Sequence, residues 1–185
     1  MAQFYPPTMP PQFSRAALAG EKRIWEALLA APLGDGVHVF YNRRPKGSHR
    51  APDVLMLDPQ RGVINIEVKG GLVHFSHGSF RQKIPTHRKK IDPWLQAKKC
   101  LADLFEALAL DADSIPHAVV LAAPIMQRTA YTFGASPHII TAEDLAPEAL
   151  TAKINALLPV MAASQQQQTA AALAQIAKAL TRAAE

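Results

Sequence analysis

The order of apolar and polar positions along the chain predicts helices near both ends and strands between them. A stripe of apolar residues at helical spacing predicts a first helix over residues 14–31, with Ser14 as its N-cap. The members of this stripe are Ala17, Leu18, Ile24, Trp25 and Leu28. Short apolar or alternating runs that end at turn residues predict strands. These strands are 37–42, 54–57, 63–68, 117–123 and 138–141, with a small additional hairpin formed by 72–76 and 79–84.

Helical periodicity returns after residue 91. A long helix is predicted to begin at Asp92 or Pro93 and to end near residue 110. Its core stripe comprises Trp94, Ala97, Leu101, Leu104, Phe105 and Leu108. A further helix begins at Thr141 or Glu143, and Ala-rich helices follow, with interruptions at Pro159 and at 165–168. This order of elements predicts the α/β (α+β) class, with a central mixed β-sheet flanked by helices.

The length of 185 residues suits one domain with small appendages. Residues 1–14 are rich in proline and are expected to form an extended, weakly ordered extension. Residues 15–145 form the predicted core. The Ala-rich helices of residues 146–185 are expected either to pack on this core or to lead toward further domains.

The two strands 54–57 and 63–68 carry the first chemical signal. Turn residues lie between them, so an antiparallel hairpin is predicted in which Leu57 pairs with Val63. Extending this register places Asp53 opposite Glu67. Directly opposed like charges destabilise a sheet, and strand alternation puts Lys69 on the same face as Glu67. Two interpretations remain open: a divalent cation bound by the carboxylates, or a solvated face with an ion pair between Lys69 and an acid.

Glu21 lies in the middle of the apolar stripe of the first predicted helix. A carboxylate on a core-facing stripe is costly unless it is paired, hydrogen-bonded or bound to a metal. The helix pattern equally allows Glu21 to reach water or to pair with a lysine.

The net charge of +5 is unevenly distributed. Residues 1–100 hold 16 Lys and Arg against 7 Asp and Glu, whereas residues 101–185 hold 4 against 8. Because the paired acids lie in the basic half, we expect a polyanionic substrate handled through metal ions. The basic segments 43–50 and 85–90 are typical of solvated loops and are also candidates for phosphate contact. The candidate nucleic-acid contacts are Arg43, Arg44, Lys46, Arg50, Arg88, Lys89, Lys90 and Lys99.

Composition excludes several other classes of protein. No run reaches 18 apolar residues, so no membrane span is expected, and the N-terminus lacks the pattern of a secretory signal. Cys100 is the single cysteine, which excludes an internal disulfide and a cysteine-type zinc site. We expect Cys100 to be a small buried hydrophobe. A cytoplasmic protein is the resulting expectation.

Phosphodiester hydrolysis is the chemistry that these residues suit best. It requires an activated water, neutralisation of the phosphate charge and help for the leaving oxygen, which carboxylate-bound Mg²⁺ or Mn²⁺ supplies. A nearby lysine orients or deprotonates the water or stabilises the phosphate in the transition state. The sequence contains no G-x-S-x-G motif, no P-loop and no G-x-G-x-x-G after a strand.

These residues resemble the PD-(D/E)xK nuclease superfamily, through Pro52-Asp53 and then Glu67-Val68-Lys69 on the next strand. More closely, residues 18–145 resemble a NERD (nuclease-related) domain. The further matching features are Gly20-Glu21, the segment 62–71 (GVINIEVKGG) and the segment 92–97 (DPWLQA).

The resemblance implies a restriction-endonuclease-like core and a metal-dependent DNA nuclease. By this match, Asp53 and Glu67 would bind Mg²⁺ or Mn²⁺, with the Val68 carbonyl as a possible third ligand. Lys69 would be the catalytic amine. Glu21 would add a carboxylate at the edge of the site, and Gln96 would position a water or a phosphate. NERD domains often accompany helicase, kinase or zinc-finger modules, so a DNA-processing partner is implied.

Three functions are therefore compatible with the sequence. The first is a DNA endonuclease or nickase. The second is a DNA-binding accessory module with little catalysis of its own. The third is an interaction domain held by the Ala-rich C-terminal helices, which would form oligomers and would not bind DNA in a salt-sensitive way. The sequence leaves the oligomeric state open.

Overall fold

The computed structural model describes residues 1–71, 73–76, 79–83, 88–125 and 138–183, with the backbone alone at 74–76, 79, 83 and 88–90. Its strands are β1 (Gln3–Tyr5), β2 (His38–Tyr41), β3 (Val54–Asp58), β4 (Gly62–Val68), β5 (Val73–Ser76), β6 (Ser79–Lys83), β7 (Arg88–Ile91), β8 (His117–Ala122) and β9 (Ile139–Ile140). The main sheet has six strands in the order β1-β2-β3-β4-β8-β9, and a smaller sheet has the order β5-β6-β7. In the main sheet, β3 is antiparallel to β2 and β4, whereas the other pairs are parallel. The predicted mixed sheet is confirmed.

Four α-helices within the described ranges cover the two faces of the main sheet. They are α1 (Ala19–Ala30), α2 (Pro93–Ala107), α3 (Pro147–Leu157) and α4 (Ala163–Arg182). Helices α1 and α3 share one apolar cluster with Met56 and Ile64 of the sheet. Helices α2 and α4 share another cluster with Leu55 and Val63. Because consecutive strand residues point to opposite faces, these two clusters lie on opposite sides of the sheet. The α+β class is therefore confirmed as three layers. Among the described helices, none combines the length and apolar character needed to cross a membrane.

The first predicted helix begins later than its sequence pattern suggests. Residues Pro11–Ser14 and Ala16–Leu18 form separate 3-10 helices, because Arg15 between them has an extended backbone. The Ser14 hydroxyl donates to the Pro11 carbonyl at 3.1 Å and caps no α-helix. The later part of the stripe is confirmed, since Ile24, Trp25 and Leu28 of α1 are buried. Its first members are not part of α1: Ala17 is exposed and Leu18 is half-buried in the preceding 3-10 helix.

The proline-rich N-terminus is part of the fold, and its prediction as a weakly ordered extension was wrong. Strand β1 pairs with β2 at the edge of the main sheet. Aromatic contacts fix this strand: Tyr5 stacks on Phe40 at 4.6 Å, and Phe4 meets Trp25 edge-on at 5.3 Å between ring centroids. Phe13 is also buried. These aromatic contacts outweigh the low intrinsic tendency of a proline-rich segment to pair.

Helix boundaries elsewhere follow local chemistry. The Asp92 side chain accepts from the Leu95 N–H at 2.9 Å and caps α2 as predicted, but this helix ends at Ala107 instead of near 110. Thr141 begins a 3-10 helix (Ala142–Leu145) through a capping box, and α3 starts only at Pro147. The glutamines of 165–168 lie within α4, so the predicted interruption there was wrong. Glutamine is a good helix former. The other predicted interruption is confirmed, because Pro159 lies in the gap between α3 and α4.

The smaller sheet extends the predicted hairpin by one strand. Strands β5 and β6 pair antiparallel as expected. A third strand, β7, pairs with β6; its basic sequence is typical of a loop, so this strand was not predicted. The sheet packs on the end of β8 and β9, because Val73 and Phe80 are buried with Leu121 and Ile139.

A close contact between two glycines joins α1 to the end of β4, and its removal is a first test of the fold. A Cβ at Gly20 would lie 2.4 Å from Gly70 Cα, so Gly20→Ala must push the two segments apart. We expect the free energy of unfolding, measured by urea denaturation, to fall by about 1–3 kcal/mol. The matched control is Gly34→Ala, whose Cβ would lie 3.9 Å from its nearest neighbour. That variant should stay within about 0.5 kcal/mol of the wild type. Equal losses in the two variants would contradict the close contact.

Candidate active site

The β3–β4 hairpin has the register that its sequence predicts. Leu57 pairs with Val63, Leu55 with Asn65 and Val54 with Ile66. One further step places Asp53, just before β3, opposite Glu67. Gly62 begins β4 with φ +118°, and a Cβ there would lie 2.0 Å from the Pro116 carbonyl oxygen. This turn therefore requires glycine, and the turn fixes the register.

Asp53 is held by backbone groups on both sides. Its carbonyl accepts from the Asn42 N–H at 3.0 Å, and its Oδ2 accepts from the Val68 N–H at 2.7 Å. Burial raises the pKa of the Asp53 carboxyl to about 7, and the nearby Glu67 charge adds to this rise. The Val68 N–H opposes the rise, but it does not cancel it. Asp53 is therefore a carboxyl group that ionises near neutral pH.

Glu67, Lys69 and Gln96 form the second part of the site. The Glu67 side chain is 4% exposed and forms an ion pair with the Lys69 amine, which also donates to Gln96 Oε1 at 3.0 Å. Burial raises the pKa of Glu67, while Lys69 opposes that rise. The predicted ion pair between Lys69 and an acid is therefore present, but the Glu67 and Lys69 side chains are largely buried instead of solvated.

Glu21 joins this group from the first turn of α1. It is half-buried, and its Oε2 accepts a hydrogen bond from the Tyr41 hydroxyl. The Glu21 charge contributes to the raised pKa of both Asp53 and Glu67, so the three carboxylates are electrostatically coupled. The Gly20–Gly70 contact explains this placement, because it brings the start of α1 against the segment that follows Lys69.

Tyr41 is a site residue that the sequence analysis missed. Its ring is buried between Phe13 and Trp25, at centroid distances of 4.7 and 5.8 Å. Burial and the hydrogen bond to Glu21 raise the pKa of the Tyr41 hydroxyl. The sequence does carry a signal for Tyr41, since this tyrosine ends an apolar strand. A buried tyrosine hydroxyl usually finds a polar partner, so a nearby polar group could have been predicted.

Asn65 is a second residue that the sequence analysis missed. It is fully buried on β4, and its Nδ2 donates to the Ala97 carbonyl of α2 at 2.8 Å. This bond ties α2 to the face of β4 that carries Glu67, and Gln96 precedes Ala97 in the chain. Asn65 Oδ1 has no hydrogen-bond partner among the described residues.

Arg43 occupies a structural position instead of a free one. Its guanidinium donates to the Leu180 and Thr181 carbonyls at 3.2 and 3.3 Å, at the C-terminal end of α4. It also lies over the Tyr5 ring, 5.9 Å from the centroid. These contacts join α4 to the N-terminal strand and give Arg43 a structural role, while its phosphate contact stays a prediction.

The remaining basic candidates differ in their surroundings. Arg44 and Lys46 are exposed, and Arg44 donates to the His49 carbonyl at 3.3 Å. Arg50 pairs with Asp103 at 2.6 Å. Lys99 is exposed on α2. The side chains of Arg88, Lys89 and Lys90 lie outside what the structure describes.

The donor set suits a hard divalent cation in its chemistry. Carboxylate oxygens are the ligands that Mg²⁺ prefers, and the raised pKa values of Asp53 and Glu67 reflect burial and repulsion that a cation would relieve. Within the described ranges, no group of three or more His, Cys, Asp or Glu side chains is arranged to hold a metal. A backbone oxygen such as the Val68 carbonyl would therefore have to complete the set.

Two other features lie apart from this chemistry. A cavity of about 340 Å³ is lined by residues of α2 and β8, including Leu101, Phe105 and His117, and by none of the clustered acids. Cys100 is buried, and burial raises the pKa of its thiol to about 12. The expectation of a buried cysteine is confirmed, and the raised thiol pKa does not favour a nucleophilic role.

The raised pKa of Asp53 predicts how stability changes with pH. Since the pKa rises from 3.8 to about 7 on folding, the folded state binds more protons than the unfolded state between these values. Stability in EDTA should therefore fall as pH rises from about 4 to 7, with no further loss from this group above that range. Asp53→Asn should exceed the wild type by at least about 1 kcal/mol at pH 8 and lose this advantage at pH 4.

Urea denaturation at the two pH values measures this difference. The control is Asp113→Asn, because Asp113 is exposed; it should match the wild type within about 0.5 kcal/mol at both pH values. An Asp53→Asn variant that is less stable than the wild type at pH 8 would show that the carboxylate is not under electrostatic strain.

Comparison of the chain with protein-family models, curated proteins and solved structures found no match.

Proposed function

We propose that this protein is a metal-dependent DNA nuclease that hydrolyses phosphodiester bonds as an endonuclease or nickase. The observation that carries the proposal is the meeting of Asp53 and Glu67 at the end of a buried hairpin, with Lys69 beside them. Two neighbouring carboxylates with raised pKa values weaken a fold. Sites that perform chemistry are where such arrangements are concentrated.

Asp53 and Glu67 would hold the metal, with the Val68 carbonyl as a third ligand. Bound Mg²⁺ or Mn²⁺ supplies charge neutralisation at the phosphate and a water of lowered pKa. The Val68 N–H donates to Asp53 Oδ2 at 2.7 Å and so fixes the orientation of the carboxylate that would bind the metal.

Lys69 and Gln96 supply the remaining polar groups. The Lys69 amine is oriented by Glu67 and by Gln96, so it is held in place before any substrate arrives. A fixed cation at this position stabilises the negative charge that develops on the phosphate. Gln96 is exposed, and its amide nitrogen is suited to bind a water or a phosphate oxygen.

Glu21 and Tyr41 complete the edge of the site. The Tyr41 hydroxyl orients the Glu21 carboxylate, and the aromatic rings around Tyr41 hold it rigidly. A third carboxylate near the metal ligands adds negative potential that favours a divalent cation.

A DNA-binding module with little catalysis is the second candidate function. The observation that favours it is the Lys69–Glu67 ion pair, which already neutralises one of the two proposed metal ligands. This candidate predicts DNA binding without metal-dependent cleavage. The same assay therefore separates the two functions.

Nicking of supercoiled plasmid in Mg²⁺, Mn²⁺ or EDTA tests the nuclease directly. We expect cleavage with either metal, none in EDTA, and a loss of at least about 100-fold in Lys69→Ala, since positioned polar groups contribute this much. The matched control is Lys22→Ala, which removes an exposed lysine of α1 that pairs only loosely with Glu26, at 3.8 Å. It should cleave like the wild type.

Each other outcome of this assay has a defined meaning. Absence of cleavage with every metal, together with salt-sensitive DNA binding, would establish the binding module. Equal cleavage by the wild type and Lys69→Ala would reject the site. Circular dichroism and thermal unfolding would confirm that Lys69→Ala remains folded.

The loop of residues 43–50 gives a separate prediction about DNA affinity. Arg44→Ala and Lys46→Ala remove exposed cations, so each should weaken DNA binding and reduce the slope of log K against log salt by about 1. Arg43→Ala should instead lower the free energy of unfolding, because its guanidinium holds the end of α4. Fluorescence anisotropy and urea denaturation measure the two effects. A purely structural effect of Arg44→Ala, with an unchanged salt slope, would remove this loop from the DNA interface.

A further inference from the structure

The smaller sheet is connected to the candidate active site at both ends. Strand β5 begins at Val73, shortly after Lys69, and β7 ends at Ile91, shortly before Gln96. Lys69 and Gln96 are themselves joined at 3.0 Å. Four residues of extended chain span at most about 14 Å, so β5 starts within that distance of Lys69.

One face of the smaller sheet is anchored on the main sheet. Val73 and Phe80 are 2% and 7% exposed, in a cluster completed by residues of β8 and β9. The register pairs Phe80 with Ile91 and Val73 with Gln82. Directly paired residues share a face, so these four positions belong to the anchored face.

The opposite face is cationic by register. Along β6, Arg81 and Lys83 alternate with Phe80 and Gln82, and Arg81 is exposed. Arg81 pairs with His74 on one side and Lys90 on the other, and Lys83 pairs with Arg88. We call these five positions the cationic face: His74, Arg81, Lys83, Arg88 and Lys90. Residues 72–91 contain five Lys and Arg and no Asp or Glu.

The register places like-charged residues opposite one another in this sheet. Arg81 opposite Lys90, and Lys83 opposite Arg88, place like charges in direct pairs across neighbouring strands about 4.8 Å apart. No acid within the segment relieves either pair. A polyanion relieves both and also gains from counterion release. The repeated positive pairs therefore favour a ligand with regularly repeated negative charge.

We propose that the cationic face is a docking surface for the sugar–phosphate backbone of DNA, which it holds beside the clustered carboxylates. The inference rests on the proposed function only in taking DNA as the polyanion. Lys89 is excluded from this surface, because it pairs with Gln82 on the anchored face. Of the three basic residues that the sequence analysis selected on this strand, Arg88 and Lys90 belong to the surface, and Arg81 and Lys83 join them.

Neighbouring residues of β7 provide a matched pair of variants for the test. Lys90→Gln and Lys89→Gln each remove one positive charge, from the cationic and the anchored face respectively. Binding of the full chain to fluorescent duplex and single-stranded DNA would be measured by anisotropy in EDTA, so that no cleavage is required. We expect Lys90→Gln to reduce the slope of log K against log salt by about 1, and Arg81→Gln/Lys90→Gln by about 2. Lys89→Gln should reduce it by less than half as much as Lys90→Gln.

Three results would overturn the proposal. The first is equal weakening by Lys89→Gln and Lys90→Gln, and the second is wild-type binding by the double variant. The third is binding of phosphatidylserine vesicles that exceeds DNA binding and depends on the same two residues, since the surface would then face a membrane. Thermal unfolding accompanies each variant. Removing one member of a like-charged pair should leave the melting temperature unchanged or raised.

This test is independent of catalysis. A cationic face that binds DNA in a protein without cleavage would support the inference and reject the nuclease. Cleavage that requires Lys69, with DNA affinity unaffected by Arg81→Gln/Lys90→Gln, would do the reverse.

Discussion

The mutual repulsion of Asp53 and Glu67 is the constraint on which the rest of this site depends. Asp53, just before β3, lies opposite Glu67, near the end of β4, and burial raises the pKa of both carboxyl groups. The end of β4 supplies two compensating groups: Val68 gives Asp53 a backbone N–H, and Lys69 gives Glu67 an amine. Gln96 of α2 accepts a hydrogen bond from the same amine. Because these groups come from fixed strand and helix positions, the site is organised before a ligand binds, which reduces the free-energy cost of ordering it on binding.

Two separate apolar layers stabilise the fold against this electrostatic repulsion. Helices α1 and α3 pack on one face of the sheet, and α2 and α4 pack on the other, so both faces of β4 are covered. Burial of apolar area is the main stabilising contribution to a domain of this size. Polar groups within the layers are few, and Asn65 shows what they contribute: its amide holds α2 at the Ala97 carbonyl, next to Gln96. Such a bond mainly fixes the position of the helix, because its net contribution to the free energy of folding is small.

Local signals in the sequence predicted the part of the site that lies on one hairpin. Strand alternation and a glycine turn specify the register from Leu55 to Asn65, so Asp53 and Glu67 could be paired without a structure. Contacts between distant segments could not be predicted in this way. Arg43 binds the carbonyl of Leu180, 137 residues later, and no local pattern distinguishes it from the exposed Arg44. The N-terminal strand was missed for the same reason, because aromatic partners from β2 and α1 outweigh its proline content.

A group of acidic residues and a group of basic residues lie close together along the chain. The carboxylates end at Glu67, and the like-charged pairs of the smaller sheet begin at Arg81. Like charges repel one another within each group. A metal ion would relieve the repulsion among the acids, and a phosphate would relieve the repulsion among the basic residues. If the two ligands bind together, each lowers the cost of holding the other, so their binding free energies are coupled. A fold with this charge distribution would bind a metal more tightly when DNA is present, without any change in its backbone.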